Sequence, residues 1–105
     1  MTAFENIDNE AFKKGLERED AVILDVRTPE ELRGGIIPGA VHLDIHDPSA
    51  FVTGISDLDP DKAYYVYCRS GARSAAACAH MADMGFDELY NLMRGILEWD
   101  GPVER

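Results

Sequence analysis

The sequence predicts an α/β fold built on a mainly parallel sheet, with helices flanking both faces. Three observations carry that expectation. The segments "AVILDV" (21–26) and "AYYVYC" (63–68) are near-continuous apolar runs rather than alternating ones, the pattern of parallel strands covered on both sides. Stretches of helical character separate them from one another and from shorter strand-like runs. Glycine and proline punctuate the joins, as in "RGGIIPGA" and at Gly85.

Each element follows in order. Asp8 or Asn9 caps a helix expected to run through about Glu19, with Ala11, Phe12 and Leu16 on one face. The first strand is Ala21–Val26. "TPEEL" then opens a helical turn, with Thr28 as cap, Pro29 at the first position and acids near the positive end. Ala40–Ile45 reads as a second short strand, and Pro48–Ile55 as a helical turn before the acidic loop "SDLDPDK". Ala63–Cys68 is the next strand. After Gly71, Ala72–Met84 is a helix whose alanine face (Ala75, Ala76, Ala79) is expected to pack close to the sheet. Gly85 stops it, Glu88–Leu92 is a strand, and Gly95–Trp99 begins a last helical turn.

A chain of 105 residues is expected to form one domain, 1–105, large enough to fold without disulfides or metals. Its 20 acidic against 10 basic residues give a formal charge of −10, which disfavours nucleic acid. No run is long and apolar enough for a membrane span, and the acidic start "MTAFENIDNE" has no signal-peptide core, so a cytoplasmic location is expected. Two cysteines make no disulfide framework, and neither they nor His42, His46 and His80 have metal-ligand spacing. No metal or cofactor is expected.

Against that acidic background, residues 62–82 contain no Asp or Glu, and "CRSGARS" (68–74) follows a thiol with two arginines. Cys68 closes a strand just before a helix, where ligands bind in parallel sheets. Backbone N–H groups around Ser70–Ser74 can turn inward there, the helix adds partial positive charge, and Gly71 lets the backbone curl. Arg69 and Arg73 raise the potential further. Thiolates in such settings are stabilised, so Cys68 is the expected nucleophile. Arginines in a buried turn also call for an anionic partner. Cys78, mid-helix among alanines, reads as core packing. Arg27 is expected to pair with Glu30 or Glu31, with Asp25 beside it at the site rim. Arg73 can brace the loop against a carboxylate, and Arg94 is expected to be solvated. Trp99, Tyr64, Tyr65 and Tyr67 read as core.

"LDVRTPEEL", "IIPGAVHL", "YVYCRSGARSA", "GF" and "NLMRGILEW" together resemble, in order, the pattern of rhodanese domains over nearly the whole chain. The resemblance implies a five-stranded parallel sheet flanked by helices and a sulfurtransferase activity. In such an enzyme a loop cysteine takes a sulfane sulfur from thiosulfate or a persulfide and passes it to cyanide, a thiol or a protein acceptor. Carried onto this chain, it makes Cys68 the persulfide carrier and Arg69, Ser70, Gly71, Ala72 and Arg73 the cradle around the transferred sulfur. Two positions depart from the pattern. Ile36 stands where a histidine is frequent, and Arg94-Gly95 where Gly-Gly is common. The rival readings are a noncatalytic rhodanese-like binding module and a cysteine phosphatase or arsenate reductase. Phosphatase loops resembling this one have five residues between Cys and Arg, where this chain has four. The sulfur reading also sets a condition: with the thiol sealed from solvent, or the neighbouring amides pointing elsewhere, the transferase reading falls and only the α/β scaffold stands.

Overall fold

The computed structural model describes residues 3–105. Five parallel strands form one sheet: β1 (Glu5–Ile7), β2 (Ala21–Asp25), β3 (Val41–His42), β4 (Ala63–Tyr67) and β5 (Glu88–Leu92), in the order β1-β5-β4-β2-β3. Three α-helices connect them: α1 (Asn9–Gly15), α2 (Pro48–Ser56) and α3 (Ala72–Asp83). Two 3-10 turns, Pro29–Gly34 and Ile96–Glu98, follow β2 and β5.

The strand expectations for β2, β4 and β5 hold because their side chains are buried or half-buried on both faces. All five residues of β4, the central strand, are buried. Side chains alternate across it. Tyr64 and Val66 join Leu24, Phe51, Ile55, Cys78, Met81 and Phe86 in the layer under α2 and α3. Ala63, Tyr65 and Tyr67 join Phe12, Ile37 and Leu92 in the layer under α1. There Phe12 meets Tyr65 and Trp99 edge-on, with ring centroids 5.5 and 5.4 Å apart, a geometry that adds about 0.5–1.5 kcal/mol per pair beyond burial.

Four details differ from expectation. β1 joins the sheet edge, pairing Glu5 with Tyr90 and Ile7 with Leu92. Its three residues, "ENI", are too few and too polar to read as a strand alone. α1 stops at Gly15 rather than near Glu19, and Ala11 is exposed while Phe12 is buried. Beyond it the chain turns so that the Arg18 guanidinium reaches both Asp20 and Glu88, at 2.9 and 2.8 Å. β3 contracts to two residues.

The fourth is a correction to α3. Its buried stripe is Ser74, Ala77, Cys78 and Met81, whereas Ala76 and Ala79 are exposed. The i, i+3, i+4, i+7 row that carries Met81 and Cys78 buries more apolar area than the alanine row would, and burial sets the helix rotation. This rotation brings Ser74 inward, to the end of β4.

Candidate active site

The carboxyl ends of β2, β4 and β5 lie side by side, with Asp25 opposite Tyr67 and Val66 opposite Asn91. Cys68 leaves β4 at this edge and the chain reverses over Gly71, at φ +101°, into α3. Main chain from the β5 end closes against this loop. A Cβ on Gly71 would lie 2.2 Å from the Met93 carbonyl oxygen, and one on Gly95 would lie 2.1 Å from that of Arg69. Glycine is therefore required at both positions, the second being the retained half of the departed Gly-Gly pair. Ile96 N–H donates to the Cys68 carbonyl and Leu97 N–H to that of Arg69, each at 3.0 Å.

Donors converge on the Cys68 sulfur. Gly71 N–H lies 3.1 Å away, Ser74 N–H 3.4 Å and the Ser74 hydroxyl 3.3 Å. The Ser74 N–H is one of the unpaired first-turn groups of α3. Burial pushes the thiol up, but the Ser74 hydroxyl and the Ser74, Gly71 and Ser70 amides together outweigh it and hold Cys68 below an ordinary cysteine. Cys78 has burial alone, with no compensating donor, and is pushed up to about 12. The two free thiols thus differ in chemistry although both are buried.

Ser74 and Asn91 form a small buried relay. The Ser74 hydroxyl also reaches Asn91 Oδ1, while Asn91 Nδ2 donates to the Gly71 carbonyl at 3.1 Å and to Asn6 Oδ1 at 2.9 Å. A hydroxyl has one proton, so it serves either Asn91 or the sulfur as a donor. With a neutral thiol the proton suits Asn91; with a thiolate it suits the sulfur.

The structure distributes the sequence-predicted cradle unevenly. Gly71 and Ser70 contribute amides, and Ala72 opens α3 with an exposed side chain. Arg73 grips Glu31 with both arms of its fork, at 2.7 and 2.9 Å. It is the brace rather than a free anion ligand, although its charge still acts on Cys68. Arg69 is exposed rather than buried in the turn, and among the described residues no carboxylate pairs with it.

Arg27 departs from its expected partner. It is buried against Asp25, with bonds of 2.9 and 2.7 Å, and donates at 2.7 Å to the Gly35 carbonyl. Glu31 is claimed instead by Arg73 and by the Thr28 N–H and hydroxyl, which hold its carboxyl down to about 2. His42 holds the same connection: its Nε2 donates to the Arg27 carbonyl at 2.6 Å. Arg94 is solvated, with a loose contact to Glu98 at 3.8 Å.

The thiol is 0 % exposed, so the condition of a reachable sulfur is not met in this structure, while the condition of amides pointing at it is. Burial is what lets several donors meet on one atom without competing water, and it strengthens each of them. Any reaction at Cys68 therefore includes a local opening of its cover. Beside the loop, a cavity of about 400 Å³ opens between the carboxyl end of β2, Arg69, the Ile96–Glu98 turn and residues 103–105. Among the described residues, no three His, Cys, Asp or Glu side chains cluster as metal ligands, and no helix is long and apolar enough to cross a membrane.

The chain matches the family model described as rhodanese-like domain over residues 8–101. It is 38% identical to a protein named sulfurtransferase from Allochromatium vinosum, across 89% of this chain and 85% of that one. It is 35% identical to the thiosulfate sulfurtransferase GlpE of Pseudomonas syringae pv. syringae, across 94% and 90%. Among solved structures, a rhodanese-related protein from Thermoplasma volcanium superposes with a TM-score of 0.81 at 28% identity, covering 96% of this chain and 98% of that one.

Proposed function

This chain belongs to the rhodanese-like domain family and is an enzyme of its sulfurtransferase class, and from that premise we propose that Cys68 is its nucleophile and sulfur carrier. The observation that carries the reading is the set of donors aimed at one sulfur, strong enough to outweigh the burial that would otherwise keep it protonated.

The reaction runs in two halves. The Cys68 thiolate attacks the outer sulfur of thiosulfate, a new S–S bond forms, and sulfite leaves with the electron pair of the broken bond. The persulfide left on Cys68 is an anion, and the loop amides that held the thiolate are placed to hold it. Cyanide or a thiol then attacks the terminal sulfur, departs with it, and restores the thiolate. Ping-pong kinetics follow from this order. No step calls for a metal or cofactor. The persulfide donor, the acceptor (a thiol, cyanide or a sulfur-accepting protein) and a cytoplasmic setting that keeps Cys68 reduced belong to the same proposal, as does the assignment of residues 1–105 to one domain.

Phosphoryl transfer fits less well. The Arg73 fork, which such a loop would turn toward a phosphoryl group, is filled by the Glu31 carboxylate. Intact-mass analysis tests the sulfur reading. Thiosulfate should add one sulfur to the wild-type chain, and cyanide should remove it as thiocyanate. Cys68→Ser should take up none and turn over none; turnover retained in that variant overturns the assignment.

A further inference from the structure

Among the described residues, four polar or charged side chains are buried: Asp25, Arg27, Ser74 and Asn91. Asp25 and Arg27 satisfy each other, and the Ser74 hydroxyl lies against the Cys68 sulfur. Asn91 bonds to Ser74 rather than to the sulfur, yet it is only 2 % exposed. It shares its side of β5 with Leu89, in the apolar layer under α3. A leucine there would bury more apolar surface, and an amide is tolerated at such a position only with its hydrogen bonds made.

The surroundings fix which way the Asn91 amide points. A carbonyl can only accept, so the group that faces the Gly71 carbonyl at 3.1 Å is Nδ2. The second Nδ2 proton goes to Asn6 Oδ1 at 2.9 Å, on the residue that pairs with Asn91 from β1. Oδ1 is thereby left facing the Ser74 hydroxyl. An acceptor is held against the one hydroxyl that the thiolate also draws on as a donor.

Three states of Cys68 then differ. With a neutral thiol, the Ser74 proton lies on the line to Asn91 Oδ1. With a thiolate, the hydroxyl turns to the sulfur, and its oxygen and Asn91 Oδ1 face each other with no proton between them. With a persulfide, the negative charge lies on the terminal sulfur rather than on the one Ser74 reaches, and the proton returns to Asn91. The Ser74–Asn91 hydrogen bond is lost in the bare thiolate alone.

We propose that Asn91 is a positioning residue for sulfur uptake: by competing for the Ser74 proton it withholds stabilisation from the bare thiolate and restores it once sulfur is bound. The proposal rests on the sulfurtransferase reading above and adds a residue to it. In the loading step the Cys68 thiolate bonds to the outer sulfur of thiosulfate, the S–S bond of thiosulfate breaks, and sulfite leaves with its electron pair. No proton is transferred, because the Ser74 O–H bond stays intact and only turns. The charged groups around Cys68 do not share this task. From α3, Arg73 is committed to Glu31 and acts on the sulfur by charge alone. From β2 and its connection, Asp25 and Arg27 pair with each other. Cys78, pushed up to about 12, stays neutral in the same layer, and Arg69 is exposed.

Asn91→Leu removes the acceptor at similar volume. With no sulfur donor present, its thiolate absorbance midpoint should fall by about 0.5–1 in pH, a roughly three- to tenfold gain for the thiolate, the range of one net hydrogen bond. Above that midpoint, the equilibrium constant for loading, read by intact mass at fixed thiosulfate and sulfite, should fall by the same factor. Both changes should vanish in the Ser74→Ala background. A midpoint that holds or rises, or a shift of equal size in Ser74→Ala, overturns the proposal. The wild-type chain gives a second reading that needs no change at Asn91. Its side-chain carbonyl carbon resonance should move as Cys68 deprotonates and return toward the thiol position on loading with thiosulfate; a loaded resonance that matches the thiolate overturns the proposal. A midpoint that falls as expected in Asn91→Leu, with no sulfur taken up by wild type, would support the hold of Asn91 on Ser74 and remove the transferase reading.

Discussion

The contrast between Cys68 and Cys78 shows how little of a cysteine's chemistry lies in burial. Both are fully covered, yet one is held below an ordinary thiol and the other pushed up to about 12. The difference is the donors that reach Cys68. Among them the Ser74 hydroxyl acts most strongly, so Ser74→Ala should move the thiolate absorbance midpoint upward and carry the acid limb of the rate profile with it. Activity at neutral pH should fall severalfold while activity at high pH recovers; a uniform loss across pH would mean that Ser74 only shapes the loop. Cys78→Ser should leave turnover within about twofold of wild type in a folded chain, as expected of a buried thiol that no donor activates. At this scale the sequence was readable where charge and chain reversal were local, as in "CRSGARS". Asn91 was not readable, because a single polar residue in a strand gains meaning only once β5 is set beside the loop.

Among the elements, the connection after β2 and the start of α3 are joined by one carboxylate. Glu31 accepts from Thr28 in its own turn and from Arg73 across the site. Its carboxyl is held near 2, below the ordinary value of 4.5, so its contribution to stability is complete above about 4.5 and lost as pH falls toward 2. Glu31→Gln should lower stability at neutral pH and flatten this stretch of the acid unfolding curve, as read by denaturant titration at several pH values. An unchanged acid slope would assign the fall to other carboxylates. The buried Asp25–Arg27 pair behaves differently: Asp25→Ala strands a covered cation and should cost about 3–5 kcal/mol, measured by urea unfolding. Apolar runs made β2, β4 and β5 legible beforehand. The identity of the partner carboxylates was not, since Arg27 lies near Asp25, Glu30 and Glu31 in sequence and only the turn geometry chooses among them.

For the molecule as a whole, a charge of −10 surrounds an active edge that presents arginines. The body measures 30 × 27 × 25 Å, so at about 0.01 M salt, where the Debye length is about 30 Å, the acids on every side repel an incoming dianion. Near 0.1 M that length shrinks to about 10 Å; the remote acids are screened and Arg69 still acts. Thiosulfate kcat/KM should therefore rise between these salts and decline toward 1 M, and a steady fall throughout would show that the distant charge has no influence. Net charge and its local reversal were both visible in the sequence. The cavity was not, because it exists only after residues 102–105 fold back onto Ile36.

The sulfur's closest partners include peptide nitrogens, held in place where Gly71 and Gly95 admit neighbouring main chain. Alanine scanning leaves peptide nitrogens untouched, so a survey replacing Arg69, Ser70 or Ala72 would pass over much of the machinery in silence. Replacing single amides by esters at 71 and 74 would make those contributions audible.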